Sequence, residues 1–599
     1  MDLRTPTVDD RLPRRFADFD TLDQALDYAA RGSRGLNFYS PRGELSASMT
    51  YAALRDEAIA VAQRLIHLGM APGERVALIA ETTPDFVAAF LGCQYARVLP
   101  VPLPLPTSFG GREGYVEQLR LQIRSCDAAA AITPSAMLDL VREAAEGMGL
   151  RFAGGHDDFA ALAIGDHGLR RPQHRDVAYL QYSSGSTRFP HGVVVTHRSL
   201  MANCHGQAYH GVQVAETDRC ISWLPFYHDM GLVGCLLTAL ASQVSCDFLA
   251  TESFARRPML WLQMISENEG TTVSYSPTFG YDICARRARG EAVAGLDLSR
   301  WRVAGNGGDM IRPDVMQNFV DTFAPAGFRA TTFVPSYGLA ECTLAVSFMP
   351  VGEGIVTDMV DERVLSGEPF SQGQGDSRSG KDGNGAPAPL NGHPALAAMP
   401  RYRPVVNCGV PLPDYEVEIR DEDDTALAER AIGRVCVRGP SVMAGYFRDD
   451  AATRAVLSAD GWLDTGDMGY MLDGCLYIVG RAKDMIIVNG KNHWPQDIEW
   501  AVEQLPGLRS GDIAAISLTN ARGEEIPAVL VQCRLSDPAA REALRAAVKK
   551  KVKAVTGMTC LVELVPPRTL PRTSSGKLSR SKARDRYLSG GIVPLADAV

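Results

Sequence analysis

The sequence of 599 residues holds thirteen cysteines and not one C-x-x-C pair. Thiols scattered singly and odd in number give no zinc or disulfide framework, and they predict a reducing, cytoplasmic setting. A basic surplus is missing too. Lys and Arg total 61 against 70 Asp and Glu, a formal net charge of −9. Nucleic-acid binders carry the opposite imbalance, so no nucleic-acid partner is expected. Long apolar runs are also absent. The most apolar stretch, residues 231–244, stops a turn or two short of a bilayer span and predicts a buried helix, with no transmembrane segment. The opening Met1-Asp2-Leu3-Arg4 leads into mixed charge without an apolar core, so no signal peptide is expected. No G-x-x-x-x-G-K-[ST] phosphate loop occurs, and no internal repeat.

What remains is ordinary globular composition, 46% hydrophobic and 22% charged, in a chain long enough for two or three domains. Helical spacing of Leu22, Leu26 and Ala29, then of Tyr51, Leu54, Ala58, Ala62 and Leu65, predicts two helices. A short hairpin around Pro41-Arg42-Gly43 lies between them. A strand from Gly73, a helix over 83–96 and a strand over 98–102 form a β-α-β unit, so the core is α/β with parallel strands. A helix over 115–125 and a strand over 128–133 continue the alternation. Alternate prolines in Pro102-Leu103-Pro104-Leu105-Pro106 enforce an extended segment, which alone is read equally well as a rigid connector.

The chain is organised around an apolar strand ending in Tyr182, a hydroxyl-rich loop Ser183-Ser184-Gly185-Ser186-Thr187, and a second apolar strand from Gly192. Such a loop offers N–H and O–H donors to phosphate, although by itself it is also an ordinary surface turn. Further strands run into Trp223-Leu224-Pro225-Phe226-Tyr227-His228-Asp229-Met230-Gly231-Leu232, Ser276-Pro277-Thr278-Phe279-Gly280-Tyr281, Gly305-Asn306-Gly307-Gly308-Asp309 and Pro335-Ser336-Tyr337-Gly338-Leu339-Ala340-Glu341. Each motif alone is weak. Their common position is the signal, because ligands of open parallel sheets bind at the carboxyl ends of the strands. Residues 350–405 change character, and Gly, Ser, Pro and Ala dominate from 371 to 400, which predicts a mobile insertion. Alternating strands near 415–419 and 433–439 then predict a small β region. Gly461-Trp462-Leu463-Asp464-Thr465-Gly466-Asp467 and Gly480-Arg481-Ala482-Lys483-Asp484 follow, then a small α+β unit carrying Ser574-Ser575-Gly576-Lys577 near its end.

Together these motifs, in this order, resemble the adenylate-forming superfamily of acyl-CoA synthetases, peptide-synthetase adenylation domains and luciferases. Within it the chain looks most like the fatty acyl-AMP ligases, on the proline-rich stretch 102–107, the run from Trp223 to Leu232, and the long gap between Glu341 and Gly409. Arg188 and His191 stand where the superfamily's phosphate loop usually has glycine and lysine. The first change suits that subfamily, and the role of His191 is left open.

The resemblance implies an amino-terminal adenylation domain over 1–480 and a mobile carboxy-terminal lid over 481–599 hinged near Lys483. It implies ATP and Mg²⁺, with Lys577, His228 and Glu341 catalytic and Glu341 holding the metal. Ser183, Ser184, Gly185, Ser186, Thr187, Asn306, Gly307, Gly308, Asp309, Ser336, Tyr337, Gly338, Leu339, Ala340, Asp467 and Arg481 would bind the nucleotide. Met230, Gly231, Phe279 and Tyr281 would line the acyl site. The implied reaction joins a fatty acid to AMP and passes the acyl group to the phosphopantetheine thiol of a separate carrier protein, since no carrier motif occurs in the chain. Acyl-CoA synthesis and a catalytically inactive binding homologue are the alternatives.

Overall fold

The computed structural model describes residues 12–106, 111–165, 167–183, 191–288, 290–367, 402–488, 491–519, 525–573 and 577–595. The amino-terminal part is built on a nine-stranded sheet. Its parallel strands are, in spatial order, Phe333–Gly338, Trp301–Asn306, Thr271–Ser276, Asp218–Ser222, Ser245–Leu249 and Gly35–Tyr39. Antiparallel strands close both edges: Leu45–Thr50 on one side, Ala345–Phe348 and Val410–Pro411 on the other. A second, four-stranded parallel sheet comprises Leu99–Leu103, Arg75–Ile79, Ala128–Thr133 and Phe152–Gly155.

Local chemistry accounts for many boundaries. Thr83 caps the helix Pro84–Ala96 by accepting from the Phe86 N–H, and Pro84 sits where a missing N–H costs nothing. That helix is buried almost throughout, which is why its sequence carries no polar stripe. The apolar stretch after Asp229 is helical and buried as expected, but in a wide form: π-turns over Met230–Leu237, then a short α-helix Thr238–Ala241. An aromatic core of Trp261, Tyr281, Trp301, Phe319, Phe328 and Phe333 packs largely edge to face on the main sheet.

Two expectations are corrected. The strand Val177–Tyr182, read as a companion of the other ligand-bearing strands, lies outside their sheet; it pairs antiparallel with Gly192–Thr196. The flanks of the expected insertion are ordered, for Thr357–Asp361 pairs antiparallel with Tyr402–Val406. Residues 371–400 lie outside the described residues.

The small β region is a four-stranded antiparallel sheet, Glu416–Arg420, Gly433–Arg438, Leu463–Leu472 and Cys475–Arg481. Beyond it, the carboxy-terminal unit stacks the helices Pro495–Glu503, Pro538–Thr556 and Arg580–Leu588 with the three-stranded sheet Ile513–Thr519, Glu525–Gln532, Leu561–Val565. Arg580 rivets it internally, with both Glu499 oxygens at 2.7–2.8 Å and Asp484 at 3.0 Å. Two arginines of the large part fasten the small one: Arg312 pairs with Glu503 at 2.6 Å and Arg403 with Asp497 at 3.0 Å. Their guanidinium groups both lie over the Trp500 ring, 5.2 and 5.7 Å from its centre. Among the described residues no helix is long and apolar enough to cross a membrane, and all thirteen cysteines are free thiols.

Candidate active site

The carboxyl ends of the parallel strands open onto a cavity of about 460 Å³, lined on its polar side by Ser183, His191, His228, Asp229, Gly307, Gly308, Ser336, Tyr337, Gly338, Leu339, Ala340, Glu341, Arg481, Lys483 and Lys577. Residues from both the large part and the carboxy-terminal unit therefore share one chamber. Two hydrogen bonds clasp Lys577 to Thr573: its N–H donates to the Thr573 hydroxyl at 3.2 Å, and its carbonyl accepts from the Thr573 N–H at 2.7 Å. That clasp projects the side chain across to the Gly308 carbonyl. Burial lowers the Lys577 pKa, opposed by the nearby carboxylates of Asp309 and Asp229. Burial in turn raises Asp309, whose Oδ1 accepts from the Thr278 N–H at 3.0 Å. Asp229 is raised by burial but pulled lower on balance by His228 and Lys577, and its Oδ1 lies 2.6 Å from His228 Nδ1.

A second cluster forms where the small β sheet meets the strand Phe333–Gly338. The Tyr337 hydroxyl donates to Asp467 at 2.7 Å, and Arg481 approaches the other Asp467 oxygen at 3.2 Å. Asp467 raises the Arg481 pKa further. Together they present a carboxylate and a cation at fixed spacing beside the glycine turn. Glu341 stands deeper. Burial pushes its pKa up, and Oε1 accepts from the Tyr446 hydroxyl at 2.9 Å. A buried carboxylate of this kind suits a hard divalent ion that shares its other ligands with phosphate. Among the described residues no cluster of three or more His, Cys, Asp or Glu that could hold a metal is present.

The ends of the hydroxyl-rich loop are drawn together by the Ser183 N–H donating to the His191 carbonyl at 3.1 Å. Ser184, Gly185, Ser186 and Thr187 lie outside the described residues. His191 pairs with Asp449 at 3.2 Å and packs its ring on Tyr446, centres 4.7 Å apart. Lys483 lines the same chamber beside Arg481, and burial followed by that neighbour's charge lowers its pKa.

The other expected residues divide. Met230 lines the chamber. Phe279 and Asp309 line a second cavity, of about 1100 Å³, which also touches Lys577 and residues of the carboxy-terminal unit. Asn306 is fully buried, its amide on Met316 and its Oδ1 without a partner, and lines neither cavity. Gly231 and Tyr281 line neither cavity. A Cβ at Gly231 would collide with the Pro225 carbonyl, so this glycine lets the wide helix approach the preceding loop. Tyr281 is fully buried in the aromatic core and donates to the Gly305 carbonyl at 2.8 Å. Its place beside Phe279 in the sequence suggested the cavity, but helical geometry turns it toward the core.

Several lining residues gave no sequence signal. Gln207, Gly234, Tyr275, Leu344, Ala345 and Phe348 form the less polar end, and Tyr446 reaches Glu341. Only Tyr275 had a hint, being one residue from the end of its strand.

The model of one protein family, described as AMP-binding enzyme, matches residues 34–374 and 388–447. A protein of Caulobacter vibrioides provisionally named an acyl-CoA synthetase is 48% identical, with 98% of each chain covered. A medium-chain fatty acid–acyl-carrier-protein ligase of Moorena producens is 32% identical, with 96% of each covered. Among solved structures, one from work on the fatty acyl-adenylate ligases of E. coli and L. pneumophila superposes with a TM-score of 0.88 at 44% identity, covering 97% of this chain and all of that one. A two-domain fold, a chamber shared between the parts, and these likenesses agree: the chain is an enzyme of the AMP-binding, adenylate-forming family, close to the fatty acyl-AMP and acyl-CoA ligases.

Proposed function

We propose that the protein activates a fatty acid with ATP, releasing pyrophosphate, and then passes the acyl group to the phosphopantetheine thiol of a separate carrier protein. The observation that carries the first half is the convergence of Lys577 on Gly308, beside Asp309, Asp229 and the Asp467–Arg481 pair. Fatty carboxylate and ATP are both anions, so their reaction needs a fixed cation where charge shifts from carboxylate to phosphate. Lys577 supplies it. Asp467 and Arg481 would hold ribose hydroxyls, and Gly307, Gly308 and Tyr337 would flank the base. Ser336 and Gly338 to Ala340 would form the rest of the nucleotide wall. Ser183, with the four residues after it, would receive pyrophosphate. His228, oriented by Asp229, would steer the carboxylate, and Glu341 would hold Mg²⁺, which supplies charge neutralisation at the phosphates. Met230 and Phe279 would meet the acyl chain.

We take residues 1–480 as the adenylating domain and 481–599 as the lid, turning near Lys483. The free thiols accord with a cytoplasmic enzyme. Support for the carrier comes from the 32% identical relative named for that acceptor and from the motifs shared with acyl-AMP ligases. The relative at 48% identity instead favours a second reading, transfer to free CoA. Both acceptors end in the same thiol arm, and the larger cavity behind Lys577 has room for such an arm.

Product identity separates the two. The purified protein is incubated with ATP, Mg²⁺ and a fatty-acid series, with and without CoA, and the products are resolved by mass. Acyl-AMP that persists in the presence of CoA is the expected result. Conversion to acyl-CoA would replace the carrier reading with the second one.

A further inference from the structure

The sequence leaves the role of His191 open, and the structure gives this residue a fixed seat in the chamber wall. The strand Gly192–Thr196 that follows it is zipped to residues 444–447. Val194 N–H donates to the Gly445 carbonyl at 2.9 Å, Ala444 N–H to the Val194 carbonyl at 3.2 Å, and Phe447 N–H to the Gly192 carbonyl at 2.7 Å. Tyr446 and, just beyond, Asp449 are thereby placed against His191. Asp449 divides its carboxylate. Its Oδ1 accepts from the Ala452 N–H at 2.9 Å and caps the helix Asp450–Val456, while Oδ2 lies 3.2 Å from His191 Nδ1. The imidazole packs on the Tyr446 ring, whose hydroxyl donates to Glu341 Oε1 at 2.9 Å.

These contacts decide which nitrogen is available. A carboxylate at Nδ1 holds a proton there and leaves Nε2 as the atom the ring can offer. His191 is also joined to both groups that the adenylation reading gives to the leaving phosphates. Its carbonyl accepts from the Ser183 N–H at 3.1 Å, and Tyr446 connects its ring to Glu341. Other basic residues of the chamber are engaged elsewhere: Lys577 at Gly308, Arg481 at Asp467 and His228 at Asp229, with Lys483 beside Arg481. Breaking the bond between the α-phosphorus and its bridging oxygen moves negative charge onto pyrophosphate, and a cation at this wall stabilises it. Imidazole becomes that cation by taking a second proton, which the phosphate oxygens draw onto Nε2. The side chain is 29% exposed, so solvent can supply the proton.

Resting on the adenylation reading above, we infer that His191, oriented by Asp449, is a further catalytic residue: its protonated ring donates from Nε2 to a pyrophosphate oxygen as the bond to the α-phosphorus breaks. The same contact holds pyrophosphate in the reverse direction, where acyl-adenylate and pyrophosphate return to fatty acid and ATP.

The test reads that reverse reaction in wild type, H191Q and H191K, measuring ATP formed from acyl-adenylate, pyrophosphate and Mg²⁺. H191Q is expected to raise the KM for pyrophosphate about tenfold, the worth of one charge-assisted hydrogen bond. The KM for acyl-adenylate is expected to stay within twofold, and H191K, which restores a cation, to recover most of the pyrophosphate affinity. A KM for pyrophosphate within twofold of wild type in H191Q overturns the inference and leaves adenylation standing. So does an equal rise in both KM values, or a defect that H191K shares in full, since each marks a residue that only supports the fold. Failure of the wild type itself to form ATP from any acyl-adenylate would overturn the adenylation reading as well.

Discussion

Lys577 joins two properties that oppose each other, a required charge and a dry position. Burial lowers its pKa, and Asp309 and Asp229 offset only part of that. The charge is then lost as pH rises, at a point below the usual lysine range. Adenylate formation is expected to fall on the alkaline side with it, and K577R, which keeps its charge, to move that limb upward. K577A is expected to cost about 10²–10³ in rate, read as pyrophosphate release across pH. Lys577, Glu341 and Asp467 were legible because short motifs frame them. Tyr446 and Gln207 were not: each lines the chamber through what stands opposite it in space, and nothing adjacent in the chain records that. Tyr281 shows the converse, an aromatic beside a motif whose side chain packs in the core.

At the scale of elements, the helix His197–His205 illustrates a junction that sequence could not supply. His197 is buried, and its Nδ1 accepts from the Leu22 N–H at 3.1 Å, tying this helix to the first one. Burial lowers its pKa to about 4, with Asp176 opposing. Below the unfolded value near 6.5 the unfolded chain takes a proton that the folded one refuses until about pH 4. Stability is thus full above pH 6.5 and declines as pH falls toward 4, by about 3 kcal/mol for this group. Denaturant unfolding at several pH values checks this, with H197Q expected to flatten the slope across that window. Strand and helix existence followed from periodicity, and the ligand-bearing turns from where strands stop. Which strands share a sheet did not follow: the strand ending at Tyr182 has the same apolar run as its supposed companions, yet pairs with its immediate successor.

For the whole molecule, the shared chamber makes activity depend, on the proposed reading, on how the carboxy-terminal lid is held. Arg312 and Arg403 hold it through Glu503 and Asp497, on top of the helix that begins at Pro495. R312A is expected to slow adenylate formation by about fivefold, on the order of 1 kcal/mol, and to slow transfer from preformed acyl-adenylate to a small thiol by less. Single-turnover measurements of the two half-reactions read the difference. The small α+β unit in the last hundred-odd residues was legible in the sequence. The fastening was not, since the paired residues are separated by 191 and 94 positions.

That fastening has an optical side. Trp500 rides on the lid, while the two guanidinium groups over its ring belong to the large part. Indole emission responds to the charges around it, so a turn of the lid that strips both cations from the ring would change the colour and brightness of this fluorophore. On the proposed lid motion, the protein would carry an unlabelled gauge of its own opening, placed where the two parts meet.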